Sequence, residues 1–438
     1  MEQRREASWR FAVRALRHRN YRLFFGGQGI SLIGTWMTRV ATGWLVYRLT
    51  GSAFLLGLVS FCGQMPILVL GPMAGVWVDR WNRHRVLLVT QILSMLQSFG
   101  LAALALSGRI TVTEIILLNL FQGAINAFDM PSRQAFVIEM VERREDLGSA
   151  IALNSSLVNA ARLIGPSLAG FLIAAMGEGS CFLIDGISYM AVIASLLAMT
   201  VAPRPPARAR QSATSELREG WDYVRRFRPI WSILLLLALI SLVGLPYTAL
   251  LPIFAGTILR GGPHVLGFLT AAAGIGALIG AVSLASRQTP GMARVIPLSA
   301  ALVGVSLAAF AASRQLWLSL ALLVVTGFGF MRQLEASNTI LQTVTEDKKR
   351  GRVMSFYSMA FQGMSPIGAL IAGAMASRIG APLTLMIGGA ICLCGAAWFG
   401  WQLPTLRQLV HPIYVQNGLV PELAKDSYAD AMHETAGE

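Results

Sequence analysis

The stretch Gly75-Val-Trp-Val-Asp79-Arg80-Trp-Asn-Arg83-His-Arg85 sets one acid, three arginines and a histidine between two long apolar runs, 53–77 and 86–107. A helix crossing a bilayer needs about 20 apolar residues, which each run supplies. The charged stretch cannot lie in hydrocarbon, so it reads as a tight loop between two membrane helices. The rest of the chain has the same character. Of its 438 residues 55% are hydrophobic and only 13% charged, and mean hydropathy is +0.59. A soluble domain carries roughly 25% charged residues. Composition therefore excludes a string of soluble domains, and also disorder, which requires low hydrophobicity.

Working outward, apolar segments recur near 22–47, 53–77, 86–107, 111–131, 148–176, 181–201, 231–258, 264–286, 294–313, 316–340, 352–377 and 381–403. Twelve helices with both termini on one side follow. Lys and Arg support that parity: 28 of the 36 fall on the side of the termini, five on the other, and Arg39, Arg162 and Arg332 lie inside segments. The excess marks the cytoplasmic face. Residues 1–21 read as a basic cytoplasmic N-terminus, with Trp9 to Leu16 as a short helix on the anionic inner leaflet. The first apolar run is too long for a signal peptide and no cleavage site closes it. Six segments fill 22–201. A Pro- and Arg-rich linker, 202–230, follows, and Leu217, Trp221, Val224 and Phe227 at helical spacing give it an interfacial amphipathic helix. Six more segments fill 231–403, and 404–438 is a polar tail. Glu145-Asp146 before Gly165-Pro166 is echoed by Glu346-Asp347 before Ser365-Pro366, as in transporters built from two repeats.

Other classes find no support. The four cysteines and five histidines form no zinc or redox pattern, so no metal or cofactor is implied. There is no GxSxG, HExxH, Gly-Lys phosphate loop or GxGxxG, and no catalytic residue is assigned. The +14 charge is spread over many loops, where a nucleic-acid binder would concentrate it.

The loop 75–85 resembles the cytoplasmic loop signature of the major facilitator superfamily, which is a glycine, three residues, Asp-Arg and a basic cluster. The resemblance implies that Gly75 allows close packing and that Asp79 faces the start of the eleventh helix near Gly351. It further implies that Arg80 and Arg83 pair with Asp129, latching the halves. Ala161-Arg162-Leu-Ile-Gly165-Pro166-Ser-Leu-Ala-Gly170 is similar to the GlyPro element of the antiporter branch, with Ala161 and Ala169 where glycine is usual. Arg17 to Phe25, Ile33 to Met37, Ala127 to Ala135, Leu217 to Trp221 and Asn338 to Gln342 resemble the branch of the enterobactin exporter and macrolide pumps. One departure is that Leu118 and its neighbours are apolar where many drug antiporters carry a fourth-helix arginine.

Charges inside the segments need a partner or a wet cavity. By depth, Arg39 and Asp185 can pair, Arg332 and Glu335 are spaced i,i+3, and Arg162 has no obvious acid. The alternative is functional: Asp185 or Glu335 couples protons and Arg162 lines the cavity. Gln28, Ser31 and Thr35 share one helix face, and Asn119, Gln122 and Asn126 share another. With Arg39, Asn154 and Gln362 they sketch a cavity for a small organic molecule, or else tie helices together. The expected protein is thus an all-α polytopic transporter of a bacterial inner membrane. It has the major facilitator fold, two six-helix halves and pseudo-two-fold symmetry. It exports drug- or siderophore-type molecules by alternating access, with protons as coupling partner and an outer-membrane channel as a compatible one. Import of a metabolite and a non-transporting sensor are the alternatives.

Overall fold

A computed structural model describes residues 14–141, 143–200, 213–285, 292–347 and 349–416, and no strand occurs among them. The rods are α1 Arg19–Thr50, α2 Ala53–Arg80, α3 Arg83–Leu106, α4 Val112–Met140, α5 Leu147–Met176 and α6 Glu178–Leu197. Then come α7 Arg228–Ile258, α8 Pro263–Ala285, α9 Met292–Ala312, α10 Leu316–Val344, α11 Arg350–Ile379 and α12 Ala381–Gln416. Local chemistry sets their ends. Gly51, at φ 61°, and Ser52, whose side chain accepts from the Leu55 amide, turn the chain between α1 and α2 in two residues. Asn82 caps α3, and Thr111 with Glu114 forms a capping box on α4. Five-residue π-turns interrupt α7 at Phe254–Ile258 and α11 at Met359–Gly363.

Ten of these rods are long and apolar enough to cross a membrane. The other two, α1 and α4, are long but carry Arg19, Arg22, Arg39 and Arg48, and Glu114, Asp129, Arg133 and Glu139. These charged side chains lower the hydropathy of the two rods. Several rods outrun the segments read from sequence. α4 continues through Pro131 to Met140, and α12 through Pro404 and Pro412 to Gln416, so the start of the expected polar tail is helical.

Packing repeats with an offset of six. α1 meets α5 and α6, α2 meets α4, and α3 meets α4 and α6; α7 meets α11 and α12, α8 meets α10, and α9 meets α10 and α12. The halves touch through α5 on α8 and α2 on α11, a pair of contacts that the same offset exchanges. This is the two-fold relation expected of repeated halves.

The linker helix, Ala213–Arg226, is amphipathic as its spacing requires, and it packs on the second half. Val224 is buried, Trp221 packs edge-on against Trp231, and Glu219 bonds Arg352 at 2.6 Å. The Pro-Arg stretch before it lies outside the described residues. So do residues 9–13 of the expected N-terminal helix, of which 14–17 form a single 3₁₀ turn. That turn is tied to the α4–α5 loop by Arg14–Asp146 (3.1 Å) and His18–Asp146 (3.0 Å). The His18 hydrogen bond, with Arg14 adding, holds the Asp146 carboxyl below the usual carboxylate range.

The two ends of the bundle differ. One apolar core crosses between the halves at the end remote from the termini, joining Trp44, Leu56 and Ile173 to Leu250, Phe254, Leu266 and Ala376. At the terminal end there are two cores. One contains first-half residues such as Tyr21, Leu87 and Phe136, and the other contains residues of the linker helix and second half such as Ile230, Phe330 and Tyr414. The halves are sealed at the far end and separate at the terminal end.

Candidate functional site

One turn of α1, Thr35 to Arg39, organises the centre. Gly34 lets α6 close in, because a methyl group there would fall 2.7 Å from Asp185 Oδ1. Asp185 is 2% exposed, and its Oδ2 accepts from Thr38 Oγ1 (2.8 Å) and Ser98 Oγ (2.9 Å), while Oδ1 has no hydrogen-bond partner among the described residues. Thr35 faces Tyr189 (3.4 Å). The expected Arg39–Asp185 pair does not form. Depth along the axis allowed it, but azimuth forbids it: residue 39 lies about 100° around the helix from Thr38, which faces the acid.

Arg39 instead lies over the Trp36 ring, 4.9 Å from its centroid, and Arg162 of α5 approaches the same ring at 5.7 Å. Among the described residues no carboxylate is within ion-pair distance of either guanidinium. The GlyPro element explains how Arg162 arrives there. Gly165 admits the backbone of α1, since a methyl group would come 2.5 Å from Trp36 Cβ and 2.9 Å from the Ile33 oxygen. One turn on, a methyl group at Gly170 would come 2.9 Å from His264 Cα of α8, and Pro166 is buried between them. Successive turns of α5 thus serve α1 and then the second half. Arg162 lies against that half, with its carbonyl 3.4 Å from where a methyl group on Gly274 would be, and its charge reaches Tyr247 of α7.

The polar stripe on α4 mostly binds within the first half. Asn119 returns to the Ile115 carbonyl (2.8 Å), and Gln122 donates to Ser94 of α3 (3.1 Å) and to Asn126 (3.3 Å). Gln28 is buried on α1, Asn154 is half-buried on α5, and Gln362 is exposed on the π-turn of α11. Phe254 lies in the far-end core, stacked on Phe310 at 4.6 Å between centroids, rather than on a cavity wall. On α10 Arg332 lies over Phe328 at 5.0 Å, and Gln342 donates to the Asn338 Oδ1 at 2.9 Å.

At the terminal end the expected partner of Arg83 is corrected. Arg83 pairs with Glu139 (2.7 Å), while Asp129 is held by Thr90 (3.0 Å), Gln91 (2.7 Å) and Arg133 one turn along. Because α4 runs on past Pro131, Glu139 stands about 15 Å nearer the loop than Asp129. Arg80 is exposed at the rim of a groove of about 690 Å³, whose wall includes Trp81, Arg85, Val89, Phe121 and Phe128. Trp77 and Trp81 stack on each other and on Phe128. The side chain of Asp79 lies outside the described residues, and the space around Gly75 is open for 4 Å. Sequence reasoning missed Thr38, Ser98, Tyr189 and Glu139. It also missed Glu178, which takes a two-bond contact from Arg48 (2.8 and 3.0 Å).

A helical bundle of two repeated halves, sealed at one end around internal polar and charged side chains, defines a membrane transporter of the major facilitator class. The chain belongs to the transmembrane secretion effector family of that superfamily, whose family model matches residues 11–413. It is 27% identical over 376 residues to the staphyloferrin A transporter of Staphylococcus aureus, covering 85% of this chain and 93% of that one. It is 30% identical over 397 residues to the multidrug efflux pump Tap of Mycolicibacterium fortuitum (86% and 93% covered). Identity to macrolide efflux protein A of Streptococcus pyogenes is 23% over 390 residues (86% and 95%). The fold is that of the nucleoside transporter NupG, with a TM-score of 0.68 at 13% identity, covering 88% of this chain and 98% of that one. The protein is therefore a multi-pass membrane transporter of efflux type, not an enzyme; the loop 75–85 implied the superfamily, and the segments from Arg17 to Phe25 and from Ala127 to Ala135 the efflux branch.

Proposed function

We propose that this protein exports amphipathic small organic molecules, of drug or siderophore type, across a bacterial inner membrane by alternating access coupled to proton entry. In this reading all twelve rods span the bilayer and both termini are cytoplasmic. The end where the halves separate then faces the cytoplasm, and the substrate enters there. The observation that carries the reading is the asymmetry of the two ends around the central turn Thr35–Arg39. An exporter sealed on the outside must load from the inside. Asp185 is the favoured proton carrier, because hydroxyl donors meet only its Oδ2, Oδ1 is left without a hydrogen-bond partner, and no cation pairs with it among the described residues. Glu335 is the second candidate. An outer-membrane channel fits beyond the far end as a partner.

Everted vesicles energised to an inside-acid gradient test this. Addition of a macrolide, a cationic dye or a catechol siderophore is expected to release protons from vesicles holding the protein, and Asp185→Asn to abolish that release. A wild-type protein confirmed in the membrane that answers none of the panel would contradict export by proton exchange.

A further inference from the structure

Trp36 is approached by two guanidinium groups, and this arrangement asks for an explanation. Arg39 on α1 and Arg162 on α5 lie 4.9 and 5.7 Å from its ring centroid, and among the described residues neither has a carboxylate partner. Two like charges brought together repel each other. The aromatic face offers each only about 0.5–2 kcal/mol. The nearest buried acid, Asp185, is turned to Thr38 and Ser98 instead. A structural pair would be one cation with one anion. This cluster is two cations with the anion missing, on the face of the first half that meets α7 and α8. Arg39 is accessible to solvent and Arg162 is half-buried, so an entering molecule can reach both.

We infer that Arg39 and Arg162, gathered on Trp36, form an anion-binding site for a substrate carrying two or more carboxylate or catecholate oxygens beside a planar or apolar part. Guanidinium presents paired N–H donors that match such oxygens, and it keeps its charge at any working pH. Trp36 adds an aromatic ring beside the two donors for the apolar part. This rests on the export reading and narrows its substrate class: a purely cationic drug would meet repulsion where an anionic chelator meets two donors. Gly165 is part of the site, because any side chain there would push α5 away from Trp36 and carry Arg162 with it.

The test is direct binding to purified protein in nanodiscs, using radiolabelled citrate and 2,3-dihydroxybenzoate as probes and their neutral esters as controls. Saturable binding of at least one acid is expected, with its neutral ester failing to compete. Affinity should fall about tenfold in Arg39→Gln and in Arg162→Gln. Arg162→Lys, which keeps the charge but loses the fork, should recover part of it. Salt dependence should weaken in each glutamine variant, a change that a packing defect alone would not produce. Absence of binding to the wild type, binding untouched by both glutamine variants, or equal binding of the neutral ester would each overturn the inference. Proton release by a cationic dye in everted vesicles of the wild type is read separately. Dye export without acid binding sinks this inference alone, and acid binding without any export sinks the export reading alone.

Discussion

The far end and the terminal end of this bundle are built from the same repeated helices, yet they meet differently. At the far end α2 and α11 touch backbone to backbone. A methyl group on Gly57 would fall 2.3 Å from the Ala369 oxygen, and one on Gly373 would fall 2.8 Å from the Ala53 oxygen. Tyr47 OH also bonds Thr257 Oγ1 across the halves at 2.8 Å. At the terminal end of the same two helices, methyl groups on Gly71, Gly75 or Gly351 would meet nothing within 4 Å. The charged contacts Arg83–Glu139 and Asp129–Arg133 there each join residues of the first half. Small residues and dry contact seal one end. Charge networks finish each half at the other, where wetted surfaces are easy to part.

The comparison can be broken most forcibly at Gly57. Gly57→Val places a branched side chain against the Ala369 backbone, which cannot yield as a flexible side chain would. The far-end seal should fail and transport should drop more than tenfold while the protein still reaches the membrane. Gly71→Ala, at the open end, should be neutral or stabilising by up to about 1 kcal/mol in thermal unfolding, because the helix gains and nothing is struck. Equal damage by both would erase the distinction between the ends.

A smaller effect separates the two terminal-end networks. Asp129→Ala strands Arg133 and the Thr90 and Gln91 donors, costing about 3 kcal/mol of stability. A double-mutant cycle on Arg83 and Glu139 should give a coupling of about 1 kcal/mol, whereas the cycle on Arg83 and Asp129 should give none. Coupling in the second cycle would restore the pairing that the loop signature implied.

Tyr47→Phe removes one hydrogen bond between the halves, about 1 kcal/mol. It should raise the share of molecules open at the far end about fivefold, read by labelling of a single cysteine in the seal. The smallest effect concerns the N-terminal turn. Because the Asp146 carboxyl is held below its ordinary value, its contacts to Arg14 and His18 stabilise the docked turn at every pH above the unfolded value of about 3.9. That stabilisation is lost only as pH falls through the lower folded value. Hydrogen-exchange protection of the Ala15 amide, which donates to Ser149, should hold from pH 7 to about 5 and fall below about 4. Asp146→Asn should lower it throughout.

How far the sequence carried the reading depended on what each feature encodes. The rods were legible because an apolar run of membrane length has few other meanings, and the break between α1 and α2 followed from length, the unbroken run being about twice what a bilayer requires. Helix ends were less legible: Pro131, Pro404 and Pro412 signal termination in water, but here the helices pass through them. Depth along a helix was readable from counting, and azimuth was not. Arg39 therefore seemed matched to Asp185 when its neighbour Thr38 was the residue facing that acid. Glu139 was hidden because α4 ends at Met140, nine residues beyond the end of the segment read from sequence. The seal was least legible, since Gly57, Gly170 and Gly267 act by admitting a partner whose position no local pattern records.

The central claim is that the two ends open in turn about the central site. Distances between spin labels in nanodiscs test it most directly, with one pair at the far end (Leu49 and Arg260) and one at the terminal end (Met73 and Ser355), all four exposed. Without substrate or gradient, the far-end pair should be short and narrowly distributed and the terminal-end pair long. Acid pH on the far side with substrate present should lengthen the first and shorten the second in equal proportion of molecules. Both pairs moving in the same direction, or a terminal-end pair that never shortens while transport proceeds, would contradict the account.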